Sequence, residues 1–373
     1  MQLCIVGGGI MGLMSAYQAV TKFRSQVTTV HLIDSGKPGS SVGELRAIQN
    51  CYQGIYGKAV RESRNQWSEF LTQTDPNNYL QVGNLLIDQD QYIVPEDSSY
   101  RLGGPDDRPT IFDIDAGLFT IQQIHQILET LLVQHGVQCH WQSEVVQIEP
   151  TRKKLRYRPV GSAKSPRTLQ FDHCILATGA WTNQVLHRSS LSPIPYRITL
   201  EQINMFHLSP AGVATARPAH NVSGDYRGSF CYMYPPIQTE NFSSDYYEVV
   251  VHLHPKISTD ITVEQLAQTE TRTDLLELAT GFLKQYVDPT TQPEIIQITT
   301  TRCPYTHRND GSGNDFIVSP HPDHGNLTVM VGYRGEGYKF SPVLAELALY
   351  QATQADWTEL PSWWRLLNET LAV

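Results

Sequence analysis

The spacing of apolar and polar residues near the N-terminus predicts a strand, a helix and a second strand in succession. Residues 3–6 are an apolar run, a glycine triplet follows, and residues 10–23 show helical spacing. A second apolar run over residues 27–33 ends in Asp34. Because a helical crossover joins neighbouring parallel strands, we interpret this segment as a βαβ unit that opens a parallel sheet.

The same periodicities continue along the rest of the chain. Apolar residues repeat at helical spacing between Thr120 and Gly136, and a glycine there is typical of a helix end. Further patterns predict a helix over 58–72, strands over 82–88 and 140–150, a basic hairpin over 151–171 and a buried strand in HCILATGAW. Aromatic and β-branched runs broken by Pro and Gly fill residues 191–299, which predicts antiparallel β structure.

Two more helices are predicted toward the C-terminus. One falls between Val263 and Tyr286, and the other follows the strands FIVSP and LTVMVGY. Ser341 is followed by Pro342, and these residue types are typical of a helix N-cap and of the first helical position. The last long helix is therefore predicted to begin at Ser341.

Composition narrows the class of protein. The 373 residues suffice for two domains, and a net charge of −9 without a basic run disfavours nucleic acid and anionic membranes as partners. None of the six cysteines stands in a C-x-x-C pair, so we interpret them as reduced thiols. Neither a signal peptide nor an apolar run of about 18 residues is evident, so we expect a cytoplasmic protein without a membrane segment.

The N-terminal glycine turn predicts a dinucleotide site. It fits G-x-G-x-x-G through Gly7, Gly9 and Gly12. Such glycines let a pyrophosphate approach the helix N-terminus, and Asp34 is placed to hold ribose hydroxyls. A second turn of small residues, with Thr178 and Gly179, ends the buried strand and suits a backbone close to the same ligand. On these residues alone, NAD and FAD both stay open.

A second constellation lies near the C-terminus. Cys303-Pro304-Tyr305-Thr306 is followed further along by GYRGEGYKFSP, from Gly332 to Pro342. Together with SSVGELRAIQNCYQ, VGNLLID, LATGAW and the PYR at 195–197, these motifs resemble the D-amino acid oxidase superfamily of FAD-dependent oxidases. The resemblance is strongest to the branch of monomeric sarcosine oxidase and N-methyltryptophan oxidase. Residues 191–299 match this branch mainly in pattern.

The resemblance implies FAD rather than NAD, bound covalently through a thioether at Cys303. It implies catalytic or substrate-binding roles for Arg46 near the flavin face, for Lys339 toward a substrate carboxylate, for Tyr305, and for one of His252 and His254. The residues expected to contact the cofactor are Gly7, Gly9, Gly12, Asp34, Ser41, Arg46, Val145, Thr178, Gly179, Cys303, Gly335, Gly337, Tyr338 and Lys339.

Two departures limit how far the family pattern carries over. Gln49 stands where the branch has a second arginine that grips the carboxylate, so a small amino acid should be held less firmly. In the strand YEVVVHLH, Glu248 or Val250 replaces a lysine that speeds electron transfer to O2. His252 and His254 are two residues apart, but no third ligand is evident, so no metal site is expected.

These observations predict an α/β plus antiparallel β fold. A discontinuous, Rossmann-like FAD-binding domain of the glutathione-reductase type is assigned to 1–81, 111–190 and 300–373, and a mixed antiparallel-sheet substrate-binding domain to 82–110 and 191–299. The predicted activity is oxidation of the C–N bond of a secondary amine, N-methyl or cyclic imino acid by hydride transfer to flavin N5. We expect O2 as acceptor, hydrogen peroxide as product and a monomeric protein.

Three alternatives stay open. The first is a primary-amine, D-amino acid or glycine oxidase of the same fold. The second is a dehydrogenase that passes electrons to a partner rather than to O2, which the replaced lysine suggests. The third is a flavin-binding protein without turnover.

Overall fold

The computed structural model describes residues 1–41, 45–49, 52–87, 100–102, 110–113, 115–209, 221–227, 229–234, 247–254, 260–267, 270–286, 294–310, 316–356, 358 and 360–373.

The first elements of the chain form the predicted βαβ unit. Strand β1 (Gln2–Val6) leads through helix α1 (Ile10–Thr21) to strand β2 (Thr29–Ile33), and the two strands pair in parallel. The prediction for this segment is confirmed.

The other strands and helices follow in chain order. The strands are β3 (Leu45–Ile48), β4 (Tyr79–Gln81), β5 (Asn84–Ile87), β6 (Tyr100–Leu102), β7 (Thr110–Asp113), β8 (Gly117–Thr120), β9 (Gln138–His140), β10 (Ser143–Glu149), β11 (Lys154–Pro159), β12 (Arg167–Gln170), β13 (His173–Leu176), β14 (Tyr196–Leu208), β15 (Asn221–Tyr226), β16 (Ser229–Met233), β17 (Tyr247–His254), β18 (Asp260–Ile261), β19 (Ile295–Arg308), β20 (Ile317–His321) and β21 (His324–Val331). The helices are α2 (Gly54–Gln73), α3 (Ile121–Gln134), α4 (Thr182–Arg188), α5 (Thr273–Tyr286), α6 (Gly337–Thr353) and α7 (Ser362–Leu371).

A six-stranded sheet in the order β20-β21-β13-β1-β2-β9 forms the centre of the fold. Its pairs are parallel except for the pair between β20 and β21. Both faces are covered. Leu3 and Ile5 pack into a core with the helices α1, α2, α3 and α6, whereas Cys4 and Val6 pack into a second core with β10, β11 and α4. Burial on both faces explains why these strands are continuous apolar runs.

A second, nine-stranded sheet has the order β18-β14-β17-β16-β15-β5-β7-β6, and β19 pairs with β14. Its pairs are antiparallel except for β5 with β15, which agrees with the mixed antiparallel sheet predicted. Helix α5 packs Phe282 and Leu283 against Phe206 and Val249 of this sheet. The smaller sheets β3-β8-β4 and β10-β11-β12 complete the topology of the described ranges.

Helix α6 begins four residues earlier than predicted. It starts at Gly337, so Ser341 and Pro342 lie inside the helix. Pro342 has no N–H, which leaves the Tyr338 carbonyl without its usual i+4 donor, but the Ser341 hydroxyl donates to that oxygen at 2.9 Å. The predicted N-cap at Ser341 is therefore wrong, because the serine satisfies a carbonyl within the helix and allows the proline to stay there.

Other boundaries also differ from the sequence predictions. Helix α2 begins at Gly54, before the predicted start at residue 58. The helix predicted between Val263 and Tyr286 is α5, which begins at Thr273 after a 3-10 turn (Val263–Ala267). The division into two domains stays a prediction, and its boundary at residue 300 falls inside β19. Of the helices in the described part of the chain, none combines the length and apolarity needed to cross a membrane.

Candidate active site

The N-terminal glycine turn leaves no room for side chains. Gly7 has a φ of 111°, and a Cβ on Gly12 would overlap the Gly7 carbonyl oxygen. A Cβ on Gly7 would overlap the Ala177 carbonyl oxygen at the end of β13. The glycines therefore allow the turn to close against α1 and against the second buried strand.

Asp34 is held in a fixed orientation at the end of β2. The backbone N–H groups of Gly8 and Gly36 donate to its two carboxylate oxygens, each at 2.8 Å. The carboxylate thus lies beside the glycine turn, where an acidic residue can accept hydrogen bonds from ribose hydroxyls.

The N-terminus of α1 lies next to the Asp34 carboxylate. Gly9 precedes the helix in an extended conformation and supplies no side-chain cap. The Ile10 N–H donates to the Ser41 hydroxyl at 3.1 Å, which brings the loop after β2 to the helix end. The partial positive charge of a helix N-terminus favours an anionic group such as a pyrophosphate.

A cavity of about 390 Å³ runs along these elements. Its lining includes most of the predicted cofactor residues: Gly7, Gly9, Asp34, Ser41, Arg46, Val145, Thr178, Gly179, Gly335, Gly337 and Tyr338. Gly12, Cys303 and Lys339 are not among the described residues that line it. Glycine turns, an open helix N-terminus and an oriented carboxylate along one cavity fit a dinucleotide.

One face of the nine-stranded sheet lies toward Arg46. Strand register places Glu201 opposite Cys303 and Thr199 opposite Tyr305, on β14 and β19. Directly opposite residues of an antiparallel pair point to the same side of a sheet. The sheet thus brings a carboxyl, a thiol, a hydroxyl and a phenol together from positions that lie far apart in the sequence.

His252 connects the buried phenol of Tyr305 with the partly buried phenol of Tyr232 on this face. It is fully buried, and its Nδ1 lies 3.4 Å from the Tyr305 hydroxyl and in hydrogen-bond contact with the Tyr232 hydroxyl. Burial raises the pKa of Tyr305 and of Tyr232 well above the usual range. Both phenols therefore keep their protons and can donate hydrogen bonds at neutral pH.

Arg46 stands on β3 against the same phenols. Its guanidinium donates to the Leu45 carbonyl at 2.7 Å and to the Ser40 carbonyl at 2.8 Å. Burial opposes its charge, but the neighbouring Cys303 thiol and tyrosine hydroxyls, Tyr305 foremost, outweigh this effect and raise the pKa of Arg46. The site therefore holds a fixed positive charge beside Cys303.

Cys303 is a buried thiol, only 1% exposed. Burial raises its pKa, and Glu201 acts in the same direction, whereas Arg46 lowers it. The neighbouring Pro304 carbonyl accepts a hydrogen bond from Ser40, which fixes the loop after β2 to β19.

Lys339 lies in the first turn of α6 and is 8% exposed. Its Nζ donates to the Tyr52 hydroxyl at 2.6 Å, and Tyr52 in turn donates to the Glu336 carboxylate at 2.7 Å. The ammonium group is thus positioned between α6 and the segment before α2. Its role as a substrate anchor stays a prediction.

The two histidines predicted as alternatives differ in place. His252 contacts the phenols of the site, whereas His254 ends β17 with its backbone opposite Phe230. In the described ranges, no group of three or more His, Cys, Asp or Glu side chains is arranged to hold a metal ion.

Sequence reasoning missed several residues of the site. His125 on α3 lines the cavity with its ring parallel to Tyr338 at a centroid distance of 6.1 Å, and burial, then Arg46, lowers its pKa to about 4. Its position one turn after Ile121, on the buried helix face, was an available signal. Strand register alone brings Glu201 opposite Cys303, whereas Tyr232 and Tyr234, which act on Arg46, belong to an alternating aromatic pattern in the sequence.

Comparison with known proteins agrees with this geometry. The family model described as "DAO: FAD dependent oxidoreductase" matches residues 2–351. The monomeric sarcosine oxidase of Bacillus sp. (strain NS-129) is 22% identical over 378 residues, covering 94% of this chain and 92% of the relative.

Two solved structures share the fold. One is NikD, described as an unusual amino acid oxidase, with a TM-score of 0.73 at 15% identity over 99% of this chain and 96% of that one. Another is the L-proline dehydrogenase from P. horikoshii, with a TM-score of 0.72 at 14% identity over 98% and 97%. The fold predicted from the sequence is confirmed, and the chain belongs to the DAO family of FAD-dependent oxidoreductases, as an enzyme of the amino acid oxidase type.

Proposed function

We propose that this enzyme oxidises the C–N bond of a secondary amine, an N-methyl amino acid or a cyclic imino acid. The observation that supports this proposal most is the half-buried, charged Arg46, which lies beside phenols and lines the dinucleotide cavity. Bound FAD supplies the acceptor for the two electrons that leave the C–N bond. A relative with the name sarcosine oxidase agrees with an N-methyl substrate.

The cavity residues divide by the part of FAD that they suit. The N-terminus of α1, with Gly7, Gly9 and Ser41, would hold the pyrophosphate, and Asp34 would hold a ribose. Val145, Thr178 and Gly179 lie along the same cavity. The flavin would then lie toward Arg46, Tyr305 and the turn before α6, where Gly335 and Gly337 line the cavity.

The site favours the neutral form of a substrate amine. An amine can lose its C–H bonding electrons to the flavin only when its nitrogen is unprotonated, and free amines titrate near 10. The fixed charge of Arg46 and the buried surroundings both disfavour a second cation nearby. The amine should therefore shed its proton on binding.

Tyr305 and Lys339 are proposed to orient the substrate. The protonated Tyr305 phenol lies on the sheet face and lines the cavity, so it can donate to a substrate oxygen or nitrogen. Lys339 is proposed as the anchor for a substrate carboxylate, since Gln49 cannot supply a second bidentate cation. Tyr52 fixes the position of the Lys339 ammonium group.

Covalent attachment of FAD at Cys303 is part of the proposal. Arg46 stabilises the thiolate form of Cys303, and the thiolate is the nucleophilic form of a cysteine. A Cys303→Ala variant should bind FAD that acid precipitation releases, whereas the wild-type protein should stay yellow after the same treatment. Acid-stable flavin in the variant would exclude Cys303 as the attachment site.

Two alternatives differ in substrate or in electron acceptor. A primary-amine, D-amino acid or glycine oxidase would use the same cavity. A dehydrogenase is supported by Glu248 or Val250 in place of the family lysine, and the likeness to an L-proline dehydrogenase shows that its fold is compatible.

One screen separates these functions. The purified holoenzyme is mixed anaerobically with sarcosine, L-proline, N-methyltryptophan, glycine and D-alanine while flavin absorbance is followed. We expect bleaching by one of the first three, and bleaching only by glycine or D-alanine would overturn the secondary-amine assignment. Air and an artificial dye are then compared as oxidants. Dye reduction with reoxidation by air at least a hundredfold slower would assign a dehydrogenase, and a flavin that no amine bleaches would contradict the whole proposal.

A further inference from the structure

Glu201 is a carboxylic acid buried inside the nine-stranded sheet. It is 2% exposed on β14, and its cross-strand partner is Cys303 on β19. The Thr199 hydroxyl donates to one of its carboxylate oxygens at 2.7 Å. Burying an acid costs several kcal/mol unless it is paired and hydrogen-bonded. The burial of Glu201 beside a buried thiol therefore calls for a functional explanation.

We propose that Glu201 is the base that removes the thiol proton of Cys303 when this cysteine becomes attached to FAD. The inference rests on the covalent attachment proposed above. It assigns a function to a residue that substrate oxidation does not use. The side chains of Glu201 and Cys303 lie on the same face of the sheet, as directly opposite residues do.

Proton transfer between these two groups leaves the charge of the site unchanged. With Glu201 ionised, the negative charge is on its carboxylate before transfer and on the sulfur of Cys303 after transfer. Arg46 interacts with the Cys303 sulfur and lowers the pKa of the thiol, so the thiolate has a positive neighbour. In a buried site, moving an existing charge costs far less than creating a new one.

A base is needed because burial keeps Cys303 protonated. The pKa of the thiol lies above its usual value, mainly through burial, so little thiolate exists at neutral pH without an acceptor for the proton. Thr199 supports the carboxylate from the side, and its hydroxyl also contacts the His307 ring at 2.7 Å. This contact fixes the direction in which the carboxylate points.

The attachment balances with dioxygen as oxidant. The S–H bond of Cys303 and one C–H bond of the flavin 8α-methyl group break, and one C–S bond forms. The two electrons pass to the flavin and then to dioxygen, which leaves as hydrogen peroxide with the two protons. Glu201 accepts the thiol proton, releases it to solvent and is unchanged at the end.

The test follows attachment rather than turnover. Full-length protein produced without flavin is mixed with FAD in air, and acid-stable flavin fluorescence is measured over time. Glu201→Gln should bind FAD but attach it about a hundredfold more slowly, the size expected for loss of a general base. Glu346→Gln, which removes a buried acid outside this site, should attach FAD at the wild-type rate.

A pH series distinguishes a base from a residue with only a structural role. The titratable groups near the Cys303 thiol are Arg46 on β3, Glu201 on β14, Tyr234 after β16 and Tyr305 on β19. Arg272, just before α5, is a further charged group that interacts with Glu201. Between pH 7 and pH 9, attachment in Glu201→Gln should accelerate roughly tenfold per pH unit, because hydroxide must replace the missing base. The wild-type rate should change much less. A parallel pH response in both proteins would overturn the proposal.

The outcomes separate this inference from the proposed attachment itself. Acid-stable flavin in Cys303→Ala would mean that the attachment site is wrong. If attachment requires Cys303 but proceeds in Glu201→Gln at the wild-type rate, Glu201 is not the base. Should Glu201→Gln fail to bind FAD, Glu201→Asp decides, because its shorter carboxylate should slow attachment at least tenfold, and an unchanged rate would reject the proposal.

Discussion

The ring of Tyr305 packs directly against Gly335, at the place where a Cβ would stand on any other residue. Gly335 has a φ of 82°, a conformation that favours glycine. The Arg334 N–H donates to the Thr306 carbonyl at 2.9 Å beside this contact. The relationship fixes β19, which carries Cys303 and Tyr305, to the turn that precedes α6.

Replacing Gly335 should therefore disturb the active site, because it changes the contact that holds β19 against the turn before α6. Gly335→Ala would overlap the Tyr305 ring and strain the turn, at a cost of about 1–3 kcal/mol. We expect a lower thermal midpoint and less bound flavin, measured by calorimetry and absorbance. Gly325→Ala is the matched control, because a Cβ there meets nothing within 4 Å. Equal behaviour of the two variants would contradict the role given to the contact.

Lys339→Met tests the proposed carboxylate anchor. A charge-assisted hydrogen bond to a partly buried carboxylate contributes about 1.5–3 kcal/mol, so the dissociation constant should rise roughly ten- to hundredfold. Titration of the flavin spectrum with a substrate and with its amide measures this change. The amide should bind both proteins alike. If the variant binds every carboxylate substrate as tightly as the wild type, the amino acid part of the proposed function is wrong.

Arg46→Met should act on rate rather than on affinity. Removing the fixed positive charge takes away stabilisation where negative charge develops on the flavin, so reduction at saturating substrate should slow by about a hundredfold. Anaerobic stopped-flow absorbance measures this rate. Lys58→Met removes an exposed cation of α2 and should leave the rate unchanged. A normal limiting rate with weaker binding would instead identify Arg46 as a second substrate clamp.

His173 should make the free energy of unfolding depend on pH. Burial between the strands of the central sheet lowers its pKa from 6.5 to about 4. Between these values the unfolded chain binds a proton that the folded chain excludes, so stability is full above pH 6.5 and falls toward pH 4, by about 3 kcal/mol at most. Urea unfolding at pH 7 and pH 4.5 should show a smaller loss for His173→Gln than for the wild type. His187→Gln, at an exposed position, should keep the wild-type loss.

The sequence by itself determined the glycine turn of the βαβ unit and the strands of the central sheet. Gly7, Gly12 and Asp34 belong to one local βαβ unit, and a tight turn or an oriented carboxylate depends on residues close in the chain. The apolar runs of β1 and β13 follow from burial on both faces of a parallel sheet. Local conformation and periodicity are properties that residue order encodes directly.

Only the tertiary structure decided which residues surround Arg46. Tyr232 and Tyr305 both act on Arg46 but lie on the separate strands β16 and β19, and their common face depends on register, which one residue of slip would reverse. The start of α6 also could not be predicted from local rules. The Ser341 hydroxyl donates to the Tyr338 carbonyl, to which Pro342 cannot donate because it has no N–H. Such side-chain contacts depend on three-dimensional packing, whereas a cap or turn motif read from the sequence describes one short segment at a time.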